Sequence, residues 1–334
     1  MAFLRTKTQW SLMIIAAIFL LTVPLFASPY WLSWLTRVAS VIVAVLGLHV
    51  LTGMTGLFSI GHAAFIAVGS YTTAILVGHG VSGWACLPLS ALSAGVIGMF
   101  FGLPCFRLKG FYLAIATLAA HFIIIWCLTH FTDVTGGFLG LPVPALSLGG
   151  IDLGSYGAAY ILSLVVMAAA TVFVINLERT SVGRCFAAIR DNELAAEVSG
   201  ISLFRYKMLA FFIACIFAGV AGWMWAHAQL RVNPEQFRLY DSIWYIGMII
   251  VGGMGRTSGV FFGVIFIKSL EVLIDYVAPV VGEWIPSLAT QVHVSMSLML
   301  YSGIIVAFLI MQPRGLWAVW HKLKTHYRLH PYSY

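Results

Sequence analysis

Charge is scarce in this chain. Of its 334 residues only 18 are Lys or Arg and 11 are Asp or Glu, 9% in all, while 61% are hydrophobic and the mean hydropathy is +0.98. So few polar groups exclude a pair of water-soluble domains, the usual expectation at this length, and leave one integral membrane domain over 1–334. The formal charge of +7 does not indicate nucleic acid, because basic excess in a membrane chain reflects Lys and Arg retained on cytoplasmic loops.

Catalytic and metal-binding signatures are also missing. The five cysteines, Cys86, Cys105, Cys127, Cys185 and Cys215, show no CxxC spacing, which excludes a disulfide framework or a zinc site. The ten histidines form no HxxH or HExxH pair, so no metal is expected. No GxxxxGK[ST] loop is present to cradle phosphates. The nearest run, Gly252 to Thr257, has Arg256 where such a loop has Lys, and reads as a tight turn between two membrane segments. Arg5 and Lys7 before an apolar run resemble a signal peptide, but the weak cleavage site and the many later spans favour an uncleaved first helix.

What is present is a series of apolar runs. Backbone groups in lipid must bond within their own segment, so each run is read as a helix. The fold class is therefore all-α and polytopic, with about ten transmembrane helices at 11–27, 32–52, 57–77, 84–104, 110–130, 155–177, 208–228, 241–254, 259–277 and 290–311. The eighth is short for a crossing and fits a re-entrant segment. If all ten cross, fourteen Lys and Arg fall on the side of the termini and only Arg231 and Arg238 on the other. Both termini are then cytoplasmic. The longest outer loop, 131–154, is rich in Gly and Pro and is expected to fold against the outer mouth.

Residues 178–207 break the apolar pattern, with five of the 18 basic and four of the 11 acidic residues. Asp191 or Asn192 can cap a short helix from Glu193 to Ser199, with Gly200 as its left-handed stop. Ala195, Ala196, Val198 and Ser199 would then offer small side chains to a groove on a cytoplasmic partner, although an amphipathic connector would look similar.

Within the spans, GLFSIGHAAFIAVGSYTTAIL (56–76) mixes small residues with hydroxyls and one imidazole. It fits either a close-packed helix seam or a polar path through Ser59, His62, Ser70 and Tyr71. Lys268, Glu271 and Asp275 share one helical face, where Lys268 and Glu271 can pair or line an outer vestibule.

From about Leu48 to Leu316 the chain resembles the permeases of ATP-binding-cassette importers for branched-chain amino acids, of the LivM type. The resemblance rests on an ordered set: the 56–76 segment, GFYLAIATLA (110–119), TGGFLGL (135–141), TSVGRCFAAIRDNELAAEVSGI (180–201), KMLAFFIACIFAGVAGWMWA (207–226), GMIIVGGMGRTSGVFFGVIF (247–266) and PRGLW (313–317). Such permeases carry a coupling helix marked by two small residues and a Gly four positions after the second. Ala195, Ala196 and Gly200 match it, Glu193 lies one position early, and the usual downstream Pro is absent.

The resemblance implies a non-enzymatic transport subunit of a bacterial inner membrane. It implies a homologous LivH-type permease, two cytoplasmic ATPase subunits that bind ATP and magnesium, a periplasmic substrate-binding protein, and no cofactor in this chain. A urea or short-chain amide importer shares much of this pattern. An ion-coupled secondary carrier is the alternative of a different class.

Overall fold

The computed structural model describes residues 19–103, 112–148, 151–152, 154–284, 299, 302–308, 310–311 and 315–329. The helix α1, Pro29–Leu48, has proline near its first position, where a missing N–H costs nothing. It continues as a π-helical stretch, His49–Met54. After an irregular passage come α2 (His62–Gly78), α3 (Gly83–Gly102) and α4 (Tyr112–His130). Next are α5 (Tyr156–Arg179), α6 (Ser181–Asp191), α7 (Glu193–Val198) and α8 (Leu203–Gln229). The helices α9 (Leu239–Gly252), α10 (Thr257–Trp284) and α11 (Gly315–Leu329) complete the order.

The fold is helical and polytopic. Among the described residues α1 with its π-helical extension, α3, α4, α5 and α8 are long and apolar enough to cross a membrane. Most expected spans lie within a few residues of observed helices. Of the expected span 11–27 the structure describes 19–27, helical over 19–26, and of 290–311 it describes 299, 302–308 and 310–311.

Two expectations need correction. The span placed at 57–77 begins only at His62, because residues 56–61 are irregular and not helical. Gly56 takes a positive φ of 74°, and a Cβ at Gly61 would strike the Thr117 carbonyl, so this passage runs against α4 where a helix would not fit. The segment 178–207, expected as a loop with one short helix, is helical for most of its length. α6 is amphipathic, burying Gly183, Phe186 and Ile189 while its polar side faces out.

α8 is the central post, packed against α1, α2 and α3. Without water between helices, close backbone approach supplies the contact, and small residues permit it. A Cβ at Gly69 would lie 2.6 Å from Gly219 Cα, and one at Gly219 would lie 2.8 Å from Ala91 Cα. Large side chains such as Phe65, Phe211 and Trp223 fill the rest of the core.

Sidedness follows from contacts. Gly53, at the end of α1, accepts a hydrogen bond from Arg190 in α6, and Lys207 near the start of α8 pairs with Glu193. α8 therefore starts where α1 ends, and the two run antiparallel. At the other face the strand Leu141–Pro142 pairs with Arg231–Val232, and Arg231 donates to the Leu139 carbonyl at 2.7 Å. The two loops expected to share a face are joined there.

Candidate functional site

The short helix expected at 193–199 is α7. Asn192 is its cap, the side-chain oxygen accepting from Ala195 N at 3.0 Å. At the other end Gly200 adopts φ +84°, Gly200 N donates to Glu197 O, and Ile201 N donates to Ala196 O. These two bonds form the Schellman stop that a glycine after the last turn makes possible. Six residues are too few to hold a helix alone; the caps and the Lys207–Glu193 pair at 2.7 Å, with Lys207 almost wholly buried, hold it against α8.

Glu193 is thus turned toward the body of the protein. Ala196, expected on the outward face, is buried at 2% exposure, because it lies on the side of α7 that packs inward. Ala195 faces out, flanked by Leu194 at 65% and Val198 at 90% exposure. Leu194 and Val198 stand four residues apart and share one helical face. Reading the sequence for small residues missed Leu194, although that spacing was visible in it.

A polar network ties this region to the membrane helices. Arg190 Nη1 donates to Gly53 O at 3.1 Å, and its guanidinium also meets Asp191 at 3.0 Å. His49, fully buried in the π-helical stretch, lies 3.5 Å from Glu178 at the end of α5, and the Thr257 hydroxyl at the start of α10 donates to the same carboxylate. The expected tight turn follows α9, with Gly253 and Gly255 at positive φ. Arg256 there stacks over the Trp317 ring at 5.1 Å. The sequence did not connect these residues, which come from four separate segments.

The four path candidates sit deep in the helix packing. His62 Nε2 hydrogen-bonds the Ala44 carbonyl at 2.9 Å, and Ser70 donates to Gly222 O at 2.9 Å. Ser59 and Tyr71 are buried and each holds an oxygen without a hydrogen-bond partner among the described residues. α2 starts inside the protein: Ile60 N donates to Thr117 Oγ1 at 3.0 Å and Ala63 N to Ser242 Oγ at 2.9 Å. Ser242 lies in the first turn of α9, so the amino-terminal ends of two shorter helices meet in the interior. The pairs α1–α2 and α8–α9 repeat one plan, a long helix, an irregular passage and a shorter helix, in opposite directions. Lys268 and Glu271 pair as expected, at 2.6 Å.

The model of the family described as "Branched-chain amino acid transport system / permease component" matches residues 30–309. The chain is 33% identical over 301 residues to the high-affinity branched-chain amino acid transport system permease protein LivM of Salmonella typhimurium, covering 82% of this chain and 67% of the relative. It is 26% identical over 204 residues to a probable LivM of Methanocaldococcus jannaschii, with 60% of this chain and 58% of that one covered. A shorter match of 142 residues, at 31%, joins it to the ribose import permease protein RbsC of Bacillus subtilis, over 41% of this chain and 38% of the relative. No solved structure matches.

Proposed function

The chain belongs to the family of branched-chain amino acid permeases, and on that premise we propose that α7 is the surface through which separate ATPase subunits drive it. It is a multi-pass membrane permease component of a branched-chain amino acid ATP-binding-cassette transport system, not itself catalytic, and ATP is bound by the partner ATPases. The single observation that carries the coupling role is the outward Leu194–Ala195–Val198 face on a doubly capped helix. Apolar side chains held rigidly at i and i+4 suit insertion into a groove.

A lever needs a load path. Arg190 to Gly53 and Glu193 to Lys207 link α6 and α7 to α1 and α8 respectively, so displacement of α7 bears on the two antiparallel long helices at once. Glu178, held by His49 and Thr257, supports extension of that movement to α5 and α10.

In this reading 1–334 is one permease unit with 178–207 as its coupling segment, both termini lie in the cytoplasm of a bacterial cell, and about ten helices cross. A homologous LivH-type permease, two ATPase subunits and a periplasmic substrate-binding protein complete the machine. The converging starts of α2 and α9 favour a path there, near Ser59 and His62, with Ser70 and Tyr71 farther along α2. Helix amino termini carry partial positive charge, and interrupted helices with that polarity suit a substrate carboxylate. The test is reconstitution in liposomes with each partner omitted in turn. Uptake of labelled leucine should require the ATPases and the binding protein; uptake from the permease pair alone would refute the reading.

A further inference from the structure

Between α1, α8, α9 and α10 lies a cavity of about 260 Å³, where about 10–15 Å³ on this measure suffices for one water. A smaller cavity of about 120 Å³ shares Trp225, Lys268, Glu271 and Asp275 with it. Five acidic or basic residues line the two: Arg37, Asp241, Lys268, Glu271 and Asp275. Ionisable groups within a span cost about 2.5–3.5 kcal/mol each on insertion scales, so such a concentration marks a polar function.

The pattern selects a ligand class. Arg37 and Lys268 oppose a bare cation, and the three carboxylates oppose a simple anion. A molecule with both charges satisfies both sets. Asp241 sits in the first turn of α9 and accepts a hydrogen bond from Arg238 N at 2.9 Å; among the described residues no cation lies within ion-pair distance of it. Lys268, across the cavity wall, reaches Glu271 at 2.6 Å. Trp244, Tyr245, Met248 and Ile274 supply an apolar wall. At the edge of the smaller cavity, Trp34 carries an indole N–H with no partner among the described residues.

We propose that this cavity binds a free α-amino acid as its zwitterion, the ammonium at Asp241, the carboxylate at Lys268, and the aliphatic side chain against Trp244 and Tyr245. The proposal rests on the importer reading for its ligand class and adds a holding site within a single permease chain, beside the interior start of α9. Charge-assisted hydrogen bonds at both ends of the zwitterion provide the selectivity.

The experiment uses the assembled transporter in lipid nanodiscs, without the binding protein, and tritiated leucine at equilibrium. Binding should saturate and be displaced by leucine, while leucinol and 4-methylpentanoate, each lacking one charge, should compete at least about tenfold less well. Asp241→Asn, nearly isosteric, should weaken binding by about tenfold or more at unchanged yield of assembled complex. Absence of saturable binding, equal competition by 4-methylpentanoate or leucinol, or an Asp241→Asn complex that binds like the parent would each overturn the proposal. Leucine uptake driven by ATP, measured in parallel, separates the two claims. Uptake without saturable binding sinks the cavity and leaves the importer, whereas failed uptake with all partners present sinks the importer reading.

Discussion

Removing the outward apolar face of α7 should detach the ATPase subunits without unfolding the permease. Leu194 is 65% and Val198 90% exposed, so most of each side chain is free to be covered by a partner. Full burial of such a side chain is worth about 1.5–3 kcal/mol, which scales to about 1–2 kcal/mol each here. The double variant Leu194→Asp, Val198→Ser would therefore lose about 3 kcal/mol of docking energy, on the order of a hundredfold in affinity. The fold should survive, because substitutions at exposed positions away from caps cost little, and an acid in the first turn of a helix is favourable. Ala196→Leu is the contrasting variant: at 2% exposure its added bulk has no room, and about 1–3 kcal/mol of overpacking should lower folded yield. The assay is titration of purified ATPase against detergent-solubilised permease, with folded yield followed by size-exclusion chromatography. An affinity within about twofold of the parent for the double variant would refute docking through this face, since a twofold change is only about 0.4 kcal/mol.

Ala195→Arg, which adds bulk and charge on the same face, and Gly200→Val, which opposes the left-handed stop at φ +84°, should both abolish leucine uptake while the permease still reaches the membrane; normal uptake in both would make 193–200 a plain connector. Lys268→Met or Glu271→Gln alone should reduce folded yield more than the two together, because each single change strands a charge in the span; equal losses in all three would argue against the pair. Gly219→Val should cut the yield of folded protein severely, by about 3 kcal/mol or more of stability, since even a Cβ there meets Ala91 Cα at 2.8 Å. Single cysteines at Ser199 and Ser147, in a background freed of native cysteines, should label from opposite faces of the membrane; labelling of both from outside would overturn the assigned orientation.

The sequence carried the helices and much of the 178–207 segment because their signals are local. Apolar runs of spanning length, Asn192 before Glu193, and Gly200 after the last turn each act within a few residues, and α5, α7 and α8 formed near their expected places. Lys268 and Glu271 were legible for the same reason, one helical turn apart. The irregular passage at 56–61 was not. It is apolar enough to pass for helix, and what holds it otherwise is packing against distant α4, where Ile60 N donates to Thr117 Oγ1. Ala196 was misplaced because side-chain size does not tell which face of a short helix packs inward. The Glu178–His49–Thr257 and Arg190–Gly53 contacts join residues 79 to 137 positions apart, and no spacing rule in one sequence links them.

The central claim is that this chain moves a branched-chain amino acid only when a separate ATPase drives it through α7. Purified permease pair, ATPases and binding protein, assembled in liposomes with ATP at the ATPase face, provide the direct measurement: initial uptake of labelled leucine, with a proton or sodium gradient imposed in a parallel preparation that lacks the ATPases. The account predicts uptake that follows ATP hydrolysis, disappears with Leu194→Asp, Val198→Ser, and stays at background under either ion gradient. Gradient-driven leucine uptake by the permease pair without its ATPases would contradict it.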